Sequence, residues 1–147
     1  MKKTISIVIP CYNEEENVIP LANALRTCFR EKLKNYDYEL LFIDNDSQDK
    51  TRENLRALCK EDRGIKAIFN AKNFGQFNSP YYGMLNSTGD ATILMAADFQ
   101  DPVEMIPKFV EAWEEGYRIV IGVKTESNES KLMYALRGIY YKLIRKM

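Results

Sequence analysis

Hydrophobic positions along this chain form short β-branched runs separated by stretches with helical spacing. Ile5-Ser-Ile-Val-Ile9 is apolar at most positions, the pattern of a strand buried on both faces, and Pro10 is expected to end it. Asn13 before Glu14, Glu15 and Glu16 predicts an N-cap with acidic residues in the first helical turn. Val18, Leu21, Ala22, Leu25 and Phe29 follow at helical spacing, so a helix is expected over about Glu14 to Arg30. Pro20 requires that helix either to kink or to start later. The same reading predicts strands at Tyr38–Ile43, Ile65–Phe69, Ala91–Met95 and Tyr117–Val123. Between them come helices over about Asp49–Lys60, Gln76–Asn86 and Pro102–Glu115, with Pro80 placing the start of the second in question. Regular alternation of this kind predicts an α/β fold, a mainly parallel sheet with helices on both faces.

Composition narrows the picture. At 147 residues the chain is one domain by length, with 46% hydrophobic and 29% charged residues, as in an ordinary globular core. The formal net charge is zero, which argues against nucleic acid as a partner. That zero is uneven: from Lys131 onward there are five basic residues and no acidic one. With no histidine and three scattered cysteines, neither a zinc site nor a His-based nucleophilic triad is available, and a reduced, cytoplasmic setting fits. No run approaches the roughly 20 apolar residues of a membrane span.

In open α/β sheets ligands bind beyond the carboxyl ends of the strands. Three polar clusters fall at such ends: Pro10 to Glu14, Asp44 to Asp49, and Asp98 to Asp101. Turn and capping chemistry explains any one of them. Three acidic loops converging on one rim would need a cation between them, and oxygen-only donors favour Mg²⁺ or Mn²⁺. Such an ion commonly joins protein carboxylates to a diphosphate.

Four segments carry a specific resemblance. Pro10-Cys-Tyr-Asn-Glu-Glu-Glu-Asn-Val18 resembles the P-x-Y-N-E-E-x-N opening of family 2 glycosyltransferases, and Phe42-Ile-Asp-Asn-Asp-Ser-Gln-Asp-Lys-Thr51 resembles their D-D-G-S-x-D-x-T loop. Asn73-Phe-Gly75, Gly83 and Thr88-Gly-Asp90 match the N-F-G…G…G-D stretch. Ala97-Asp-Phe-Gln-Asp-Pro-Val-Glu104 looks like the A-D-L-Q-D-P-P-E segment of the polyprenyl-phosphate branch, which includes dolichol-phosphate mannose synthases. The resemblance runs over about residues 5 to 123 and implies a GT-A fold, with 1–123 as the nucleotide-sugar-binding core.

The resemblance also implies roles. Pro10, Tyr12 and Glu14 would shape the nucleoside pocket, Tyr12 packing against the base, and Asp44 would accept a base N–H from uracil or guanine. Asp98 and Gln100 would hold the metal at the diphosphate, with Asp101 beside them in the catalytic group. Two positions depart from the pattern. Ala96 stands where the first acid of Asp-x-Asp would be, so metal binding would rest on Asp98, Gln100 and the diphosphate. Asp46 replaces a glycine in the second loop, and aspartate tolerates left-handed backbone better than most residues.

The implied reaction is an inverting transfer of a sugar from a UDP- or GDP-linked donor to an acceptor. The resemblance of the Ala97-Asp-Phe-Gln-Asp-Pro segment, with the basic C-terminal part, implies a polyprenyl phosphate as acceptor. Such a phosphate monoester is mostly ionised near neutral pH and needs no protein base (second pKa about 6). A soluble glycan acceptor, and a donor-binding domain inactive by itself, are the alternatives. Lys124 and Arg137 are candidates for steering the acceptor phosphate. Within the basic amphipathic C-terminal segment 124–147, residues 131–147, where Leu132, Leu136, Ile139, Tyr140 and Leu143 recur near helical spacing, read equally as a helix on an anionic membrane surface or one packed on the sheet. A membrane-surface role would place the protein at the inner face of the membrane. The chain is expected to continue in a longer protein. The competing folds lack their signatures: there is no G-x-G-x-x-G for a dinucleotide and no P-loop. A receiver-like Mg²⁺-binding signalling domain would want paired acids after the first strand, where Pro10-Cys-Tyr stands instead.

Overall fold

The computed structural model describes residues 2–123. Lys124, Arg137 and the basic segment of which they are part lie outside the described residues. The elements run β1 (Lys3–Cys11), α1 (Val18–Lys32), β2 (Tyr36–Asp44), α2 (Thr51–Glu61), β3 (Ile65–Phe69), α3 (Gly75–Asn86), β4 (Ala91–Leu94), a single 3-10 turn (Val103–Met105) and α4 (Ile106–Glu114). The four strands form one parallel sheet in the order β3-β2-β1-β4, with Ile7 opposite both Leu40 and Ile93. A parallel pair needs a crossover, and α1, α2 and α3 supply the three between the four strands.

Alternation along the strands builds two cores. Ile5, Ile7, Ile9, Leu40 and Phe42 face α1, α2 and the start of α4, packing with Leu21, Leu25, Leu55, Ile106 and Val110. Val8, Leu41 and Ile43 point to the other face and make a smaller cluster. There α3 lies close against the sheet because Gly83 has no side chain: a Cβ added to it would stand 2.7 Å from both Ile43 Cγ1 and Val8 Cγ1.

Polar groups on that second face are tied together rather than left bare. Glu39 is buried and accepts from Ser6 Oγ, Lys66 Nζ (2.6 Å), Thr88 N (2.8 Å) and Thr88 Oγ1 (2.8 Å). The segment Thr88-Gly-Asp90 is thereby fixed to the sheet before β4 begins, with Gly89 N donating to Ser6 Oγ and Thr4 N to Asp90 Oδ2.

Several expected boundaries move. Pro10 lies inside β1 rather than ending it. The carbonyl of Val8 accepts from Met95 on the β4 side, so Pro10, two residues on, aims its missing N–H at that side, past the end of the β4 register at Leu94. Helix α1 starts at Val18, so Glu14 to Glu16 form a preceding turn and no acidic residue stands in the first helical turn. Pro20 then occupies the third helical position, where its missing N–H would have had no intrahelical partner. The strand expected at Tyr117–Val123 does not form: Ile119, Ile121 and Val123 are 81%, 77% and 79% exposed, and no ladder reaches them among the described residues. β-Propensity without a partner strand makes no strand.

Candidate functional site

The three clusters lie at the carboxyl ends of β1, β2 and β4, on one edge of the sheet. Each contains one non-glycine residue in the left-handed region: Asn13 (φ 56°), Asp46 (φ 70°) and Phe99 (φ 60°), which are all such residues among those described. Backbone of this kind costs energy and persists only where its surroundings hold it. Asp46 takes the turn expected of the replaced glycine.

The hold is visible between the first two loops. Asn13 N donates to Ser47 Oγ (2.9 Å), Glu14 N to Thr51 Oγ1 (2.8 Å) and Glu15 N to Asp49 Oδ2 (3.1 Å). In return Gln48 N donates to Asn13 Oδ1 and Lys50 N to Glu15 Oε2, both at 2.8 Å. The third side of the rim comes from the Asn73-Phe-Gly stretch. Asn45, buried at the end of β2, donates through Nδ2 to Asn73 Oδ1 (2.9 Å) and accepts at Oδ1 from Phe74 N (2.9 Å). These ties were not assigned from the sequence. The signal was present in Ser47, Asp49 and Thr51, three side-chain acceptors at alternate positions of one loop.

Tyr12 and Glu14 stand at the first loop, the tyrosine ring 48% exposed and Glu14 accepting the Asn17 amide at 2.7 Å. Pro10 is half-buried in β1 beneath them. Asp44 is wholly buried; its Oδ1 accepts from Ser47 N (3.2 Å) and its Oδ2 from Arg52 Nε (2.5 Å). Arg52 was not singled out from the sequence, yet it stands between Asp44 and solvent.

At the third loop, Asp98 and Gln100 are exposed and side by side: Gln100 Nε2 donates to Asp98 Oδ2 at 2.6 Å and Gln100 N to Asp98 Oδ1 at 3.1 Å. The left-handed turn at Phe99 brings both to the same side. Asp101 is turned inward, its Oδ2 accepting from Ala96 N at 2.9 Å, so it closes the turn that carries Asp98.

The expected gathering of carboxylates around one cation is corrected. Among the described residues no group of three His, Cys, Asp or Glu side chains comes together. The reason is local neutralisation. Asp44 faces Arg52, Asp46 lies 3.5 Å from Arg52 Nη2, Asp49 and Glu15 accept backbone N–H groups, and Asp101 takes Ala96 N. Among the described residues, Asp98 alone of the loop aspartates has no partner but its near neighbour Gln100. One carboxylate and one amide oxygen suit a hard divalent ion that completes its shell with water and phosphate oxygens, so the donor set fits Mg²⁺ or Mn²⁺ held jointly with a diphosphate. For that Gln100 must turn its amide so that the oxygen, now on the far side from Asp98, faces the ion.

Comparison with known proteins decides what such a rim belongs to. The sequence profile described as Glycosyl transferase family 2 matches residues 6–146. The chain belongs to glycosyl transferase family 2.

Membership removes the receiver-like alternative. Within the family, the chain is 33% identical over 144 residues to the bactoprenol glucosyl transferase of Shigella phage SfX, covering 97% of this chain and 47% of that protein. It is 35% identical to the putative glycosyltransferase CsbB of Bacillus subtilis, covering 97% and 43%. A Yersinia pestis undecaprenyl-phosphate 4-deoxy-4-formamido-L-arabinose transferase is 38% identical over 129 residues, covering 87% and 39%. These relatives put the chain in the polyprenyl-phosphate branch, of whose members it spans less than half the length.

Among solved structures, S. aureus TarS (residues 1–349) superposes with a TM-score of 0.63 at 19% identity, over 89% of this chain and 40% of that one. A mannosyltransferase from Pyrobaculum calidifontis in complex with GDP-Man and Mn²⁺ superposes at 0.56 and 15% identity, over 69% and 34%. The fold is therefore the GT-A type. Among the described residues no helix is long and apolar enough to cross a membrane.

Proposed function

We propose that this chain is the donor-binding part of an inverting glycosyltransferase that moves a sugar from a UDP- or GDP-linked donor to a polyprenyl phosphate. The observation that carries this reading is the Asp98–Gln100 pair, exposed on the rim and without a cationic partner among the described residues, in a member of a family whose relatives are named for bactoprenol and undecaprenyl phosphate.

The residues divide the donor between them. The exposed Tyr12 ring offers a stacking surface for the base, with Pro10 and Glu14 shaping the wall beside it. Asp98 and Gln100 would hold a divalent ion at the diphosphate end of the donor, and that ion would supply Lewis-acid neutralisation of the departing diphosphate. Asp101 keeps the Asp98 turn closed through Ala96 N and acts by positioning. The ionised acceptor phosphate attacks the anomeric carbon from the face opposite the diphosphate, so no histidine is needed as base. Lys124 and Arg137 are the proposed steering cations for that phosphate. The basic segment 124–147 rests at the inner membrane surface in this account, bringing the site to its lipid.

The test supplies radiolabelled UDP- and GDP-sugars with undecaprenyl phosphate in vesicles and, separately, with soluble glycans. Label extracted with the lipid is the expected result. Transfer to soluble glycans alone contradicts the acceptor assignment.

A further inference from the structure

The nucleoside end of the rim carries an ion pair between Asp44, the expected acceptor of the base N–H, and Arg52, which has been given no task. Asp44 is fully buried, whereas the side chain of Arg52 is 29% exposed, so a group arriving from solvent meets the guanidinium before the carboxylate. Arg52 is also held elsewhere: Nη2 donates to the Asn70 carbonyl at 2.6 Å and lies 3.5 Å from Asp46 Oδ1, and the guanidinium stands 5.9 Å from the centre of the Phe69 ring. A guanidinium has five N–H donors and no acceptor. It opposes an incoming base N–H and welcomes a base carbonyl.

We propose that Arg52 is a specificity-determining latch over Asp44, released by a base whose edge carries a ring N–H beside a carbonyl, the imide edge of uracil or guanine. The proposal rests on the donor reading above and deepens it. Opening trades one set of hydrogen bonds for another. The imide N–H replaces Arg52 Nε–H on Asp44 Oδ2, and the neighbouring base carbonyl accepts the N–H that Arg52 has withdrawn. Asp44 is thus never left buried without a donor, an arrangement that a fold strongly resists. Cytosine and adenine put a ring nitrogen lone pair where the imide carries its proton. That lone pair faces a carboxylate, the exchange does not close, and the latch stays shut. The Asn70 and Asp46 contacts hold the Arg52 head nearby, so it shifts rather than leaves.

Calorimetry with UDP, GDP, CDP and UMP on the wild-type chain, Arg52→Ala and Arg52→Lys tests this. Wild type is expected to favour UDP or GDP over CDP by about tenfold or more. In folded Arg52→Ala that ratio falls about tenfold, because an open Asp44 also accepts the exocyclic amine of cytosine. The ratio of UDP to UMP affinity, which reports the diphosphate end, stays as in wild type. Arg52→Lys, which keeps the charge but not the fork, lies between. A base ratio unchanged in folded Arg52→Ala overturns the latch. A second readout needs no variant: the Arg52 Nε–H signal in nitrogen-15 NMR moves on saturation with the preferred nucleotide and not with CDP. A signal unmoved by a bound preferred nucleotide overturns the latch while leaving the donor reading intact. Wild type that binds no nucleotide overturns both.

Discussion

Glu14 and Thr51, 37 positions apart in sequence, meet in a single hydrogen bond, with the Glu14 N–H donating to Thr51 Oγ1 at 2.8 Å. It is the middle of three such bonds that set the first loop against the second, flanked by Asn13 N to Ser47 Oγ and Glu15 N to Asp49 Oδ2. Thr51 is fully buried at the start of α2. Thr51→Val keeps the shape and removes the acceptor, leaving the Glu14 N–H without its partner. The expected loss is about 1–3 kcal/mol in urea unfolding, with weaker nucleotide binding, and Thr51→Ser restores most of both. Full stability and binding in Thr51→Val would show that the loops are held by other means.

Glu39 gives a pH dependence with a definite sign. Burial pushes its carboxyl up, but hydrogen bonds from Lys66, Ser6 and Thr88 outweigh burial and hold it at about 2 against an ordinary 4.5. A pKa lowered by folding contributes stability that is complete above the unfolded value and is lost as pH falls through the folded one. Stability is therefore expected to fall between pH 4.5 and about 2, by a total on the order of 2–3 kcal/mol from this group. Glu39→Gln is expected to be less stable at pH 7 and to show a flatter acid limb in denaturant titrations. An acid limb unchanged by the substitution would assign the acid sensitivity to other groups.

Gly83 tests how closely α3 must lie on the sheet. Alanine there brings its Cβ to 2.7 Å from Val8 Cγ1 and Ile43 Cγ1, both in the second core. Overpacking of that kind costs about 1–3 kcal/mol, against a helix-propensity gain of about 1 kcal/mol. Gly83→Ala should lower the melting temperature, and, since α3 starts at Gly75 beside Asn73 and Asn45, it should also loosen the rim. An unchanged or raised melting temperature would mean that Val8 and Ile43 yield without cost.

The sheet and its crossovers were legible because periodicity reports burial: Ile5, Ile7 and Ile9 on one face and Val8 on the other are spaced as two-sided burial requires. The three site loops were legible because strand ends in parallel sheets mark the ligand edge. The partnering of each carboxylate was not legible. Asp44, Asp49 and Asp98 look alike in sequence, yet Arg52 neutralises the first, backbone N–H groups occupy the second, and the third has only Gln100 beside it among the described residues. Such differences depend on contacts between loops, as with the one between residues 14 and 51, which no local pattern encodes. The strand expected at Tyr117–Val123 failed for a related reason, since its apolar pattern states a preference and not a partner.

Asp98 and Gln100 are proposed to bind a nucleoside diphosphate through a divalent ion. Titrating UDP and GDP into the wild-type chain and Asp98→Ala, each with Mn²⁺ and with EDTA, tests it most directly. One nucleotide is expected to bind about tenfold or more tightly with Mn²⁺ than with EDTA, and Asp98→Ala to abolish the difference while remaining folded. Binding of equal strength with and without metal, or metal enhancement that survives in Asp98→Ala, would contradict it.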